Sequence, residues 1–279
     1  MKPVAFEYEC ARDIDSALKL LGQSYDACVL AGGQTLGPML NLRLVQPELV
    51  VDITRIEALV RSEIEQHTVT LGACISHAAI EDERVTDTTH GYLPRVAAGI
   101  AYRAVRNRGT IGGSVANADP AADWLTCFTA LGADILLSGL NGERICPIDQ
   151  FVTGAMETTL GPDEMVNGVC IPRPGRAARS GYAKISRKPG EFADAIAAIM
   201  HDPDNNRCRV VVGATDGAPL RLDVHALDLS ADSPLPTTLD ADRIRDELAR
   251  HMPTPDLYRL NIQGAVVQRA LADANADVS

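Results

Sequence analysis

AGGQTLGPMLNLRLVQPELVVDI, residues 31–53, is the stretch on which the reading of the fold turns. The apolar run Ala27–Ala31 enters it as a short strand, of a length suited to burial in a sheet. Gly32-Gly33-Gln34-Thr35 then makes a turn, Leu36–Asn41 reads as helical, and Leu49–Ile53 is a second apolar strand. The result is a strand, glycine turn, helix, strand unit. Consecutive glycines allow positive φ and let the backbone approach a ligand closely. Successive N–H groups in such a turn form a concave anion site, and a helix start behind it adds a favourable field. The glycines fall at Gly32, Gly33 and Gly37. That spacing is neither the GxGxxG of a Rossmann site nor a P-loop, which needs a Gly-Lys pair before Ser or Thr.

A second turn of the same kind lies at Gly109-Thr110-Ile111-Gly112-Gly113-Ser114. Thr35, Thr110 and Ser114 each bring a hydroxyl. Any single Gly-Gly pair reads as a tight turn, but two such nests with hydroxyls at matching places suit a pyrophosphate, which carries anionic oxygens on both phosphorus atoms. Arg103, Arg106 and Arg108 precede the second turn, either to offset phosphate charge or as a solvated helix edge. Asn117, Asp119 and Asp123 follow it. Asp119 precedes Pro120 and is placed to cap the next helix. Asp123, inside that helix, either accepts hydrogen bonds from ligand hydroxyls or lies on a solvated face.

The remaining chain supplies the frame. The pattern predicts a strand at Val4–Tyr8, a helix capped by Asp13 and running to Leu21, and alternation at Val69 and Leu71. It further predicts helices over Ser76–Glu83, Leu93–Arg106 and Ala121–Leu131. Strands at Asp134–Leu137 and Glu143–Cys146 are joined by the turn Gly139–Gly142. Ile171-Pro172-Arg173-Pro174-Gly175 is the strongest punctuation and marks a boundary. Beyond it come strands at Arg209–Val212 and Leu220–Leu227, then helices at Ala241–Arg250 and Leu257–Ala272.

Composition narrows the function. The 279 residues are 46% hydrophobic and 23% charged, ordinary for a globular protein of two or three modest domains. A net charge of −11 argues against broad nucleic-acid or anionic-membrane binding, which needs a basic face. The N-terminus MKPVAFEYEC has no apolar segment of the secretory kind, and no stretch approaches the roughly 20 apolar residues of a membrane span. The expected location is cytoplasmic. Seven scattered cysteines, none at CxxC spacing, read as small apolar residues in a reducing compartment and not as a metal site. His67, His77 and His90 are isolated and read as surface or packing residues. No acid–base or nucleophile constellation stands out, so no catalytic residue is expected.

Residues 31–53 and RNRGTIGGSVANADPAADW (106–124) resemble the two FAD motifs of the medium subunit of molybdenum hydroxylases, the group that includes xanthine dehydrogenase and carbon monoxide dehydrogenase. YAKISRKPGEFADA (182–195) resembles that family's segment at the flavin ring. VVVGATDGAPLRL (210–222) and LYRLNIQGAVVQRAL (257–271) resemble its C-terminal domain less specifically. The resemblance implies an α+β fold of the vanillyl-alcohol-oxidase (PCMH) type: FAD-binding subdomains at 1–56 and 57–171 and a C-terminal α+β domain at 176–279. It implies that Ala31, Gly32, Gly33, Gln34, Thr35 and Leu36, with Thr110, Gly112, Gly113 and Ser114, hold the pyrophosphate and its neighbours. Asn117, Asp119 and Asp123 would meet ribityl, ribose or adenine groups. Met165 and Val166 would line the cofactor, Lys184 would stand near the flavin end, and Phe192 would pack on the isoalloxazine ring. Arg187-Lys188 stands where the family often has two arginines, and Glu191 where it often has Asp; both changes keep charge and alter reach.

The resemblance also implies partners: a large molybdenum-cofactor subunit, a small subunit with 2Fe–2S clusters, and an external electron acceptor, in a heterotrimer that is often doubled. The rival readings are a free-standing FAD oxidoreductase of the same fold, which would need its own acid or base over the flavin, and a non-redox nucleotide-binding module.

Overall fold

The computed structural model describes residues 2–276 except 25, 253 and 255. Its first sheet is built from β1 (Glu7–Cys10), β2 (Ala27–Leu30) and β3 (Leu49–Asp52). All pair in parallel, with β3 between the others and buried along its whole length. Helix α1 (Ile14–Leu21) lays Ala17, Leu18 and Leu21 against this sheet. Its first turn is closed by a capping box, in which Asp13 accepts from the Ser16 amide at 2.7 Å. Helix α2 (Leu36–Leu42) follows the first glycine turn. The first strand lies further along the chain than its sequence pattern suggests. Pairing with β3 begins at Glu7↔Leu49, so the partner strand sets the register.

The second sheet has the order β4-β5-β10-β6-β7 and is antiparallel throughout: β4 (Ser62–Ile64), β5 (Thr68–Gly72), β6 (Asp134–Gly139), β7 (Gly142–Pro147) and the long β10 (Glu164–Pro172). A small hairpin, β8 (Val152–Gly154) with β9 (Glu157–Thr158), stands apart from it. The helices of this region are α3 (His77–Glu81), α4 (Tyr92–Ala98), α5 (Arg103–Arg106), α6 (Ile111–Asn117), α7 (Asp123–Leu131) and α8 (Ile148–Phe151). The third sheet is a meander of β11 (Arg179–Ile185), β12 (Ala195–Asp202), β13 (Arg207–Gly213) and β14 (Leu220–Leu222), followed by α9 (Ala241–Arg250) and α10 (Leu257–Ala276).

What joins these parts is the burial of α7 and β12 on both sides. Every residue of α7 is buried, because one flank meets the second sheet and the other meets β12 and β13. Along β12 the side chains alternate. Ala198 and Met200 enter the core around Trp124 and Phe128, whereas Ala195, Ala197 and Ile199 face the core that includes Val266, Val267 and Leu271 of α10. Each large aliphatic side chain so buried contributes about 1.5–3 kcal/mol. The connection after β10 is clasped. The Gly175 amide donates to the buried Asp202 carboxylate, Arg207 pairs with Asp202 at 2.7 Å, and the guanidinium of Arg173 donates to the carbonyl of Glu65 at 2.9 Å.

Three sequence expectations change. The helix expected over Leu93–Arg106 is two helices, because Gly99 caps α4 and Ala101 takes a φ of 41°. The last strand stops at Leu222, where the Asp223 amide turns away to donate to buried Glu247 at 2.9 Å. The helix expected from Ala121 starts at Asp123; Asp119 accepts from the Ala121 amide in a turn ahead of it and does not cap it.

Gly181 shows how closely α10 lies on β11: a Cβ there would come within 1.9 Å of the Ala270 carbonyl oxygen. Gly181→Ala must therefore push helix and strand apart. It is expected to lower the unfolding free energy by about 2–3 kcal/mol in a urea titration, the cost of an overpacked core.

Candidate functional site

The structure brings the two glycine turns, distant in sequence, into direct contact. A Cβ on Gly32 would lie 2.1 Å from the Arg108 carbonyl oxygen and 2.8 Å from the Gly109 Cα. Gly33 adopts a φ of 70°, as the nest requires. Among the described residues, the backbone amides of Gly32, Gly33, Gln34, Thr35 and Leu36 meet no acceptor within the chain. Backbone donors in folded proteins almost always find partners, and each one left unpaired in a dry setting costs about 1–3 kcal/mol. Five consecutive amides without a partner in the chain, turned out at the start of α2, make this turn the candidate anion site. The Gln34 side chain braces the turn by donating to the Gly32 carbonyl at 3.1 Å, and Thr35 is exposed with no capping bond to its hydroxyl.

The second turn differs from its sequence expectation. It is not a second nest but the beginning of α6, and its amides are already used. Ile111 donates to Ile75 at 3.1 Å, Gly112 to Ala73 at 2.9 Å, Gly113 to the Thr110 hydroxyl at 3.1 Å, and Ser114 to the Thr110 carbonyl. Thr110 is a buried N-cap. Gly112 is required because a Cβ would meet the Ala73 Cβ at 2.4 Å. This turn is a rigid wall for the first one, and its half-buried Ser114 hydroxyl has no partner among the described residues.

Beyond the wall, a cavity of about 550 Å³ opens between the α4–α5 connection and β11, bordered by Gly99, Tyr102, Arg106, Tyr182, Lys184 and Gly190. Arg106 borders this cavity, and two residues on, the Arg108 carbonyl packs against Gly32 of the first turn. Lys184 donates from Nζ to the Asp123 carboxylate at 2.9 Å and to the Gly99 carbonyl at 2.8 Å. Tyr182 donates to the same Asp123 oxygen. Burial, and then the Asp123 charge, push the Tyr182 phenol well above its ordinary value. Asp123 is therefore neither on a solvated face nor a free acceptor. It is buried and joins α7 to β11.

The arginines before the second turn are also committed. Arg106 forms a bidentate pair with Glu81 and holds the carbonyls of Ile100 and Ala101, each at 3.0 Å. Arg103 pairs with Glu81 and Asp82. Neither is available to offset phosphate charge, whereas Arg108 is exposed and carries no side-chain partner among the described residues. Asn117 donates to the Met156 sulfur at 3.8 Å. Met165 and Val166 are buried on β10, Met165 in the core that also holds Ala31 and Val166 in the core of Trp124. Any cofactor contact from these two must come from main chain. Phe192 is 68% exposed on the β11–β12 connection, away from the cavity lining.

Comparison with known proteins places this geometry. The family described as "FAD binding domain in molybdopterin dehydrogenase" matches residues 4–174. The chain belongs to this family. The match spans both glycine turns, and a row of unpartnered amides has the chemistry that an anionic pyrophosphate needs. The caffeine dehydrogenase subunit beta of Pseudomonas sp. (strain CBB1) is 31% identical over 286 residues, covering 98% of this chain and 96% of that protein. The carbon monoxide dehydrogenase medium chain of Hydrogenophaga pseudoflava is 35% identical over 224 residues, covering 80% and 78%. A solved carbon monoxide dehydrogenase from the same organism, lacking the Mo-pyranopterin moiety, superposes with a TM-score of 0.88 at 30% identity, covering 100% of each chain. The fold is accordingly the α+β, PCMH-type FAD-binding fold. The chain is an FAD-binding, electron-transfer component of a molybdopterin-dependent oxidoreductase. No helix among the described residues is long and apolar enough to cross a membrane.

Sequence reading passed over the residues that build the frame of the site. Glu81, which holds Arg103 and Arg106, lies in no motif, and Tyr182, though it opens the 182–195 stretch, gives no sign in sequence that it shares Asp123. Their partners are distant in sequence, so only the fold reveals them.

Proposed function

We propose that this chain holds one FAD across the first glycine turn and the adjoining cavity and passes electrons from the 2Fe–2S clusters of a small partner subunit to an external acceptor. A large subunit with the molybdenum cofactor hydroxylates the substrate, so the substrate is chosen outside this chain. The observation that carries the reading is the row of five unpartnered amides from Gly32 to Leu36. They suit the anionic pyrophosphate, with Ser114, Thr35 and exposed Arg108 at hand for neighbouring oxygens. On this reading residues 1–56, 57–171 and 176–279 act as three units around the cofactor, with Tyr182 and Lys184 of the third bordering the cavity.

FAD, when bound, supplies the exchange between one-electron carriers and a two-electron acceptor. The protein's part is to place it. The amides of the first turn would meet the pyrophosphate, Lys184 with its Asp123 partner would border the ring, and Asn117 and Asp119, which follow the second turn, would meet the remaining groups. A cytoplasmic heterotrimer, paired into a dimer of heterotrimers, follows from the same reading. Removing flavin from the purified complex tests it. Substrate is expected still to reduce the iron–sulfur clusters, seen as bleaching of their visible absorbance. Turnover with the physiological acceptor is expected to stop and to return when FAD is added. A deflavinated complex that still reduces its acceptor at the original rate would overturn the proposed route.

A further inference from the structure

His77 is a buried titratable residue with no part in the binding scheme above, yet it lies at the junction of the site's two halves. It is the first residue of α3 and is 6% exposed. Its backbone amide donates to the Gly109 carbonyl at 2.9 Å, which fixes the residue that Gly32 packs against. Its ring edge covers Gly109 so closely that a Cβ there would come within 2.8 Å of Nε2. Its Nδ1 accepts from the indole Nε1–H of Trp124 at 3.0 Å. Trp124 follows Asp123 in α7 and stacks on Phe128, with ring centroids 5.1 Å apart.

We propose that His77 is a positioning residue for the flavin site: through Nδ1 it holds the start of α7, and with it Asp123 and Lys184, in register with the glycine turns. The inference rests on the FAD reading above. One imidazole thereby ties the wall of the nest to the network that presents Lys184 to the cavity. The geometry demands a neutral ring, since only an unprotonated Nδ1 can accept from the indole. Protonation would set two donors against each other inside the core and release the tie.

The surroundings keep the ring neutral. Burial, and then the Arg106 charge on α5, lower its pKa to about 4. Glu81, on the same helix as His77, pairs with Arg106. From α7 and β11, Asp123, with Lys184 and Tyr182 bound to it, stands immediately before Trp124. Arg108 flanks the glycine turn and is exposed. Because the folded value lies below the unfolded value of about 6.5, the stabilisation is complete above the unfolded value. It is lost as the pH falls through the folded one.

Two variants and two readouts test the proposal. Trp124 is the only tryptophan in the chain, so the indole emission of the full-length chain reports this contact directly. Retained FAD, measured on the assembled complex, reports the site. In the wild type both signals are expected to hold steady down to about pH 5 and to change together as the pH falls through about 4, where the folded ring takes up its proton. His77→Asn keeps an acceptor at the Nδ1 position and does not titrate. It is expected to hold FAD as the wild type does at neutral pH and to lose the shared acid transition. His77→Leu leaves the indole N–H unpaired and is expected to weaken FAD binding about tenfold at neutral pH. A His77→Asn protein with the wild-type acid profile overturns the proposal, as does a His77→Leu protein with wild-type affinity. If the indole titrates as described but no form binds FAD at any pH, the FAD reading fails while the His77–Trp124 tie stands.

Discussion

Gly32→Ala is expected to yield a chain without flavin. The added methyl group would lie 2.1 Å from the Arg108 carbonyl oxygen and 2.8 Å from its carbonyl carbon. Both are main-chain atoms that no side-chain rotation can move. The first turn must then withdraw from the second, and the amides of Gly33 to Leu36 move with it. Because the affinity for an anionic pyrophosphate rests on several amides converging at once, the loss should reach at least about 100-fold, roughly 2.7 kcal/mol. Gly37→Ala is the matched control. It lies in the same glycine cluster, but a Cβ there meets nothing within 4 Å. Acid-released FAD per purified chain should fall to near zero in the first variant and stay at the wild-type level in the second. Equal flavin content in both would show that the contact between the turns does not hold the cofactor.

Asp123→Ala is expected to produce the largest loss of stability of any single change at the site. The Lys184 side chain is 12% exposed, and Asp123, at 9%, provides its only counter-charge within hydrogen-bond reach among the described residues. Without it, the ammonium keeps only the Gly99 carbonyl, and the Tyr182 hydroxyl loses its acceptor. A buried pair broken on one side costs about 3–5 kcal/mol, because the remaining charge is left uncompensated. Lys184→Met removes the stranded charge. The double variant Asp123→Ala/Lys184→Met should therefore recover a good part of the loss, and a urea-unfolding cycle over the four proteins measures the coupling. A single-variant cost under about 1 kcal/mol, the range of an exposed pair, would contradict the buried role given to Asp123.

Much of this was legible in the sequence because its signals are local. The β2–turn–α2–β3 unit is written in consecutive residues, with two apolar strands around a glycine pair, and the structure reproduces it within a residue or two. The glycines at 112–113 were equally visible, but the sequence could not show that their amides find partners within the chain. A glycine pair looks the same whether it frees amides for a ligand or lets a helix start press against Ala73. Only the partner strand's position decides between them. The same limit applies to Asp123. Its spacing after the second turn suggested a ligand acceptor, yet β11, far along the chain, brings Tyr182 and Lys184 to claim it. The break at Gly99–Tyr102 was missed because Ala101 is a good helix former. Its left-handed backbone is held by carbonyl contacts from Arg106, which sequence periodicity does not register.

The most direct test of the central claim is the flavin content of this chain in its native assembly. An affinity-tagged chain purified from its host should bring down one FAD per copy, together with a large molybdenum-bearing subunit and a small iron–sulfur subunit, resolved by mass, metal analysis and visible spectrum. A chain that comes down without flavin, in an assembly whose other subunits retain their cofactors, would contradict the account.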